Sequence, residues 1–477
     1  MSSASILWHD YETFGVNPHS DRACQFAAIR TDLDLNPIGK PLNWFCQIAN
    51  DYLPSPAACL ITGITPQQTL RDGFIEAEFI ARVHKEMSQP NTCVAGYNSI
   101  RFDDEVTRFT LFRNFYDPYA REWQNGNSRW DIIDLVRACY ALRPDGINWP
   151  QKEDGTPSFK LEHLTEANNL VHEAAHDALS DVYATIAMAK LIKSKQAKLY
   201  EYGMTLRHKK SVASRIDLHN LTPFIHVSSK VPASQGCCTV MMPVGYHPTN
   251  KNAIIAIDLS RPIETLKEHS SEQLADLLFK KNSELESADQ RPGLKLVHIN
   301  RCPFVAPLKT LTPQRADELG IDLAAIQSRH SDILQHSDIL SRILDTYDVI
   351  DSNRLETEQD VDISLYSEAF PSQTEKEWKS RVLDTPPEQL AELSAPSDSL
   401  AKRLFRYRAR NYPATLNADE MIKWQNFRRE RLMDDTSPIR MNIDQYMQEL
   451  ETLAIEYEND NNRKAIIRAL IDYVQNL

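Results

Sequence analysis

Three clusters of acidic residues dominate the chemistry that the N-terminal part of the chain could perform. In Trp8-His9-Asp10-Tyr11-Glu12-Thr13, Asp10 and Glu12 stand two apart at the end of an expected strand. Residues i and i+2 leave a strand on the same face, so the two carboxylates can converge. Alone, a D-x-E of this kind is an ordinary solvated strand end. Arg101-Phe102-Asp103-Asp104-Glu105 opens an expected helix, where acids commonly complement the helix dipole. The third cluster is His176-Asp177-Ala178-Leu179-Ser180-Asp181. On the helix that follows, Leu179, Val182, Tyr183 and Ile186 fall on one apolar stripe, and Asp181 lies roughly opposite, toward a cleft or solvent.

Carboxylates that converge repel one another and must bind cations or keep protons. An oxygen-only donor set selects Mg²⁺ or Mn²⁺ over zinc. Two such ions ~3.5–4 Å apart can activate water and hold the leaving oxygen in phosphodiester hydrolysis. A histidine with a pKa near ~6.5 could take the proton from that water. A His-Asp pair also serves as the metal-binding dipeptide of phosphohydrolases; that reading needs further histidines on neighbouring helices, for which His163 and His172 are only loose candidates.

The elements that must position these groups are legible from patterning. Ser5–Tyr11, Gln25–Thr31, Asn43–Ile48 and Thr92–Gly96 read as strands, and Ile75–Met87, Asp104–Phe115, Leu161–Asn168 and Ala178–Lys193 as helices. This alternation predicts a mixed α/β domain over residues 1–195. Strand patterns at Phe224–Ser228, Cys238–Pro243, Ala253–Leu259 and Lys295–Asn300 predict a β-rich domain over 196–350, with helical insertions such as Ser271–Lys281. Residues 353–477 read as successive helices, after an acidic candidate linker at Asp351–Asp362.

Composition sets the outer limits. The chain has 477 residues and a net charge of −13, with −7 over 1–195, +1 over 196–350 and −7 over 351–477. No apolar run approaches the ~18 residues of a membrane span, and the start lacks an export signal, so a cytoplasmic location without membrane contact is expected. The eight cysteines include no C-x-x-C pair, which predicts reduced, buried thiols and no structural zinc.

D-x-E, a downstream aspartate and H-x-x-x-x-D together resemble the DEDDh group of 3′→5′ exonucleases, which share a ribonuclease-H-like fold. Leu60-Ile61-Thr62-Gly63-Ile64-Thr65 resembles that group's TGIT element. Within the group, the chain is similar to the bacterial exodeoxyribonuclease I family. The runs His9–Gly15, Gly96–Arg108, Asn114–Ala120, Arg137–Pro150 and His176–Leu191 carry that likeness. The resemblance implies an exonuclease domain, an SH3-like barrel domain and a helical C-terminal domain. It further implies metal ligands Asp10, Glu12, Asp103 and Asp181, with His176 as general base, and Asp104, Glu105 and Asp177 as supporting or capping residues. The implied activity is 3′→5′ removal of 5′-mononucleotides from single-stranded DNA with two Mg²⁺ ions, which Mn²⁺ could replace, in DNA repair and recombination.

Holding a strand without sequence choice needs cations along phosphates and rings against bases. The resemblance implies such contacts at Glu12, Arg108, Tyr119, Trp123, Arg137 and Lys160, where the last replaces an expected arginine. It also implies a partner, the acidic C-terminal tail of single-stranded DNA-binding protein, with Arg143 and Tyr202 as contributors. Arg207-His208-Lys209-Lys210 and the basic run Lys402–Arg410 are further candidates for a strand-lining surface, or else solvated and internally paired faces. One complete groove per chain fits a monomer. A short-RNA or proofreading exonuclease and a non-catalytic nucleic-acid-binding scaffold are the alternatives.

Overall fold

The computed structural model describes residues 4–170, 177–285, 287, 290–353, 359–434 and 441–477. His172 and His176 lie outside the described residues. The chain divides into two compact units, one of residues 1–128, 172–183 and 357–477 and the other of residues 129–171 and 184–356.

In the first unit, β1 (Ser5–Thr13) pairs antiparallel with β2 (Ala23–Thr31), placing Asp10 opposite Ala27 and Glu12 opposite Gln25. An irregularity follows between Glu12 and Thr13, where the acidic strand end leaves the ladder. The strand β3 (Leu42–Phe45) borders β2, and β4 (Thr92–Gly96) runs parallel to β1, giving the order β3-β2-β1-β4. Being central, β1 is covered on both faces, and its apolar residues are buried on each. Leu7 and Tyr11 enter a core with Phe26, Phe79, Val83, Val94 and Val106. Asp10 and Glu12, at even positions, leave from the other face.

The TGIT segment joins two short helices, Pro56–Thr62 and Pro66–Asp72. Gly63 ends the first with φ +73°, a conformation that favours glycine, and Thr65 caps the second through the amide of Gln68 at 3.3 Å.

The successive helices expected over residues 353–477 include Gln373–Asp384, Asp398–Asn411, Ala418–Met433, Ile443–Glu456 and Asn461–Gln475. Side-chain caps at Ser372, Ser397, Asn417, Asn442 and Asp460 fix their starts. The last two pack on N-terminal residues, with Tyr446, Leu450, Ile467, Leu470 and Tyr473 against Phe14, Cys24, Tyr52 and Cys59, while Trp378, Val382, Leu400, Leu404 and Tyr407 of the first two form a separate core with Ala77 and Phe115.

The candidate linker reads differently in the structure. Asp351 belongs to a helix, Asp338–Ser352, and residues 354–358 lie outside the described residues. Asp362 is buried and Asp360 partly so. The basic run explains why. Arg406 bonds both carboxylates, Arg410 bonds Asp51 and Asp362, Arg403 bonds Glu368, and Arg408 bonds Glu420. This run is therefore an internally paired helix face.

In the second unit, β6 (Phe224–Val227), β7 (Cys238–Tyr246), β8 (Ala253–Asp258), β9 (Leu294–His298) and β10 (Phe304–Pro307) form an antiparallel sheet in the order β10-β6-β7-β8-β9. The short β10 and β5 (Ser128–Asp131) give no clear sequence pattern, since each is four residues long and one is half charged. The helices Leu323–Gln335 and Asp338–Ser352 also exceed expectation. Each buries only a sparse stripe, Ile326 and Ile333 in one and Ile339, Ile343 and Tyr347 in the other. All eight cysteines are buried thiols outside any disulfide. Among the described residues, no helix is long and apolar enough to cross a membrane.

Candidate metal centre

Asp10, Glu12 and Asp181 each offer a carboxylate oxygen, and these oxygens lie within 4.8 Å of one another. Strand β1 supplies the first two. The third comes from the first turn of the helix Ala178–Lys195. Asp177 caps that helix: Oδ2 accepts the Ser180 amide at 3.1 Å, and Oδ1 accepts Gln25 Nε2 at 3.2 Å. The expected stripe needs correction, because Val182 and Ile186 are buried but Tyr183 is 46% exposed. The buried face turns instead through Ala178, Val182, Thr185 and Ala189, and Asp181 stays half-buried.

Asp103 stands beside this trio at the start of the helix Asp103–Arg113, every residue of which is buried. Its Oδ1 accepts the Tyr11 amide at 3.0 Å, which ties it to β1 next to Asp10. No side chain caps this helix. Asp104 pairs with Arg121 at 2.7 Å and Glu105 with Arg108 at 2.8 Å, so the two acids act through buried ion pairs rather than as caps. His9 sits on the opposite face of β1, its Nδ1 bonded to Ala95 O at 3.0 Å. Burial pushes its pKa down to about 4, so it is neutral at pH 7 and is not placed to serve the carboxylates.

The electrostatics suit a cation. Burial, then the charges of Asp103 and Glu12, push Asp10 well above the usual carboxylate range. Burial, then Asp181 and Asp103, push Glu12 up to about 8. A bare cluster would thus hold protons at neutral pH, and a hard divalent ion would displace them. The half-buried, all-oxygen donor set fits Mg²⁺ or Mn²⁺.

The expected strand contacts divide into two kinds. Trp123 is 65% exposed, Tyr119 half-buried, and the Lys160 side chain open to solvent beside Glu162. Arg108 and Arg137 are buried. Arg108 is held by Glu105, by both oxygens of Glu122 and by the Tyr366 hydroxyl, and its guanidinium lies 5.1 Å from the Tyr119 ring centre. Arg137 pairs with Asp134 at 2.7 Å and lies 5.9 Å from the Phe159 ring centre. Glu122, Tyr366, Arg121 and Gln25 escape sequence reasoning.

Family models match along the whole chain: one described as Exonuclease over residues 7–189, an Exonuclease I SH3-like domain over 207–349, and an Exonuclease I C-terminal domain over 359–477. Exodeoxyribonuclease I of Haemophilus influenzae is 44% identical over 473 residues, covering 98% of each chain. That of Escherichia coli K12 is 43% identical over 476 residues, covering 99% of this chain and 98% of the relative. The chain belongs to the exodeoxyribonuclease I family.

As a member of that family it is an exonuclease with the three expected parts. A crystal structure of E. coli exonuclease I with a dA16 oligonucleotide matches at TM-score 0.95 and 43% identity, covering 99% of this chain and 100% of that one. A zinc-bound E. coli complex with single-stranded DNA matches at TM-score 0.93 and 42% identity, with 99% of each chain covered. A complex described as SSB/Exonuclease I with the inhibitor CFAM matches at 0.91 and 42%, covering 100% of both. In this exodeoxyribonuclease I family member, the second unit also holds a cleft of about 450 Å³ lined by Arg143, Lys195, Lys198, Tyr202, Phe304 and Thr310. Tyr202 donates to Val305 O at 2.8 Å, and Arg215 lies 4.7 Å from its ring centre.

Proposed function

We propose that the chain removes 5′-mononucleotides from the 3′ end of single-stranded DNA, in DNA repair and recombination. The convergence of Asp10, Glu12 and Asp181 beside Asp103 carries this reading. These four carboxylates would hold two Mg²⁺ ions, with Mn²⁺ able to replace them. When bound, the ions would supply an acidified water and neutralise the charge that develops on the scissile phosphate. His176, directly before the cap residue Asp177, takes the proton from the attacking water. Glu12 also faces the terminal nucleotide. Tyr119 and Trp123 stack on bases and Lys160 meets phosphate. Arg108 and Arg137 contribute positive field from inside, fixed by their acidic partners.

The reading assigns residues 1–195 to the exonuclease domain, 196–350 to the SH3-like domain and 353–477 to the helical domain, in a monomeric, cytoplasmic enzyme. The cleft around Arg143 and Tyr202 takes the acidic C-terminal tail of single-stranded DNA-binding protein. Lys195 and Lys198, which also line it, supply positive charge for that tail.

Incubation with 5′-labelled single-stranded DNA tests the activity. Progressive shortening from the 3′ end with Mg²⁺, and none with EDTA, is the expected result. Binding without cleavage under both conditions would favour the scaffold reading, and preference for short RNA the other alternative.

A further inference from the structure

Gln25 is a buried amide on β2, opposite Glu12, with both Nε2 hydrogens committed to acceptors. One reaches Asn43 Oδ1 at 3.0 Å on the neighbouring strand, and the other Asp177 Oδ1 at 3.2 Å. Two acceptors fix the amide's orientation, since the flipped form would turn a carbonyl oxygen toward both. In that orientation Oε1 is buried and accepts nothing from the described residues. An unpaired buried acceptor is costly, so the grip on Asp177 outweighs that loss. Asp177 in turn uses its other oxygen to cap the helix whose first turn carries Asp181. A continuous path thus runs from the sheet, through one side-chain amide, to the only helix that contributes to the carboxylate trio.

We propose that Gln25 is a positioning residue of the metal centre: through Asp177 it sets the Asp181 helix against the strand carrying Asp10 and Glu12. This rests on the nuclease reading of the carboxylates. It adds a residue that touches neither metal nor substrate. Outer partners of metal ligands are worth about 10–100-fold in metal affinity or activity when removed.

Two single substitutions and one exchange test it. Gln25→Glu places a carboxylate against that of Asp177, and Gln25→Met removes the donors while keeping the length. Both are expected to lower kcat, and the affinity for Mn²⁺ measured by calorimetry, by about 10–100-fold, with KM for single-stranded DNA unchanged. Asp177→Asn alone should cost much less, because the new side chain keeps an oxygen that can accept from Gln25 and loses only the bond to the Ser180 amide. Combining Gln25→Glu with Asp177→Asn restores a donor–acceptor pair of reversed polarity, keeps the net charge, and should recover most of the rate and Mn²⁺ affinity. Wild-type kcat and Mn²⁺ affinity in Gln25→Glu and Gln25→Met would overturn the proposal. So would a Gln25→Glu defect that Asp177→Asn leaves unrepaired. If the wild-type protein binds Mn²⁺ but cuts no DNA, the nuclease reading fails, and the same Mn²⁺ affinities still decide the role of Gln25.

Discussion

Asp181→Ala is expected to lower metal-dependent nucleotide release by about 10³-fold while leaving the fold intact. The size follows from the proposed role of Asp181 as a metal ligand: charge stabilisation of several kcal/mol is at stake, and ~4 kcal/mol corresponds to about 10³ in rate. The direction of the stability change separates a catalytic from a structural role. Asp181 contributes to the repulsion that raises the Asp10 and Glu12 pKa values. Removing it relieves that repulsion, so the melting temperature in EDTA should stay level or rise. Binding of single-stranded DNA should persist, since the exposed Trp123 and Lys160 are untouched. A melting temperature several degrees lower, with activity lost in proportion, would mark Asp181 as a structural residue.

The second large effect is expected at Arg410. Its guanidinium is buried, with Nε 3.0 Å from Asp51 Oδ1 and Nη2 2.6 Å from Asp362 Oδ2. Arg410→Ala would leave two buried carboxylates short of their main partner, which costs roughly 3–5 kcal/mol. Arg410→Lys keeps the charge but loses the planar fork and should fall between. The pH dependence has a definite sign. Burial alone would raise the Asp362 pKa, but the Arg410 and Arg406 guanidiniums outweigh it and hold Asp362 well below the usual range. Burial likewise opposes, and Arg113 and Arg22 overcome it, at Glu76, which is lowered to about 2. Carboxylates depressed in the folded state contribute stability that is present above their unfolded pKa values of about 4 and is lost as pH falls toward 2. The wild-type melting temperature should therefore drop on acidification below about pH 4, and less steeply in Arg410→Ala. Equal melting temperatures of wild type and Arg410→Ala at pH 7 would show the network to be energetically idle.

The strand carrying Asp10 and Glu12 was legible because apolar residues flank two acids at a period of two, a pattern that needs no tertiary knowledge. The late helices were legible as successive helical patterns once the strand signal fades. Burial of charge was not. Asp103, Asp104 and Glu105 look like a solvated helix start, yet all three are buried, and their partners Tyr11, Arg121 and Arg108 come from the strand, a short turn and the next helical turn. Asp360 and Asp362 look like linker, and Lys402–Arg410 reads equally as a polyanion-binding face or an internally paired one, until the fold joins them. Charge in sequence carries no mark of its partner, so pairing over long separations becomes visible only in three dimensions. The same holds for Gln25, whose amide matters only once Asp177 arrives beside it from 152 residues away.

The four carboxylates are proposed to act as one cation site. Anomalous diffraction from crystals soaked in Mn²⁺ measures this directly. Two peaks about 3.5–4 Å apart, bounded by the oxygens of Asp10, Glu12, Asp103 and Asp181, are the predicted result. Saturating Mn²⁺ that leaves these carboxylates without a peak, or that binds only elsewhere on the protein, would contradict it.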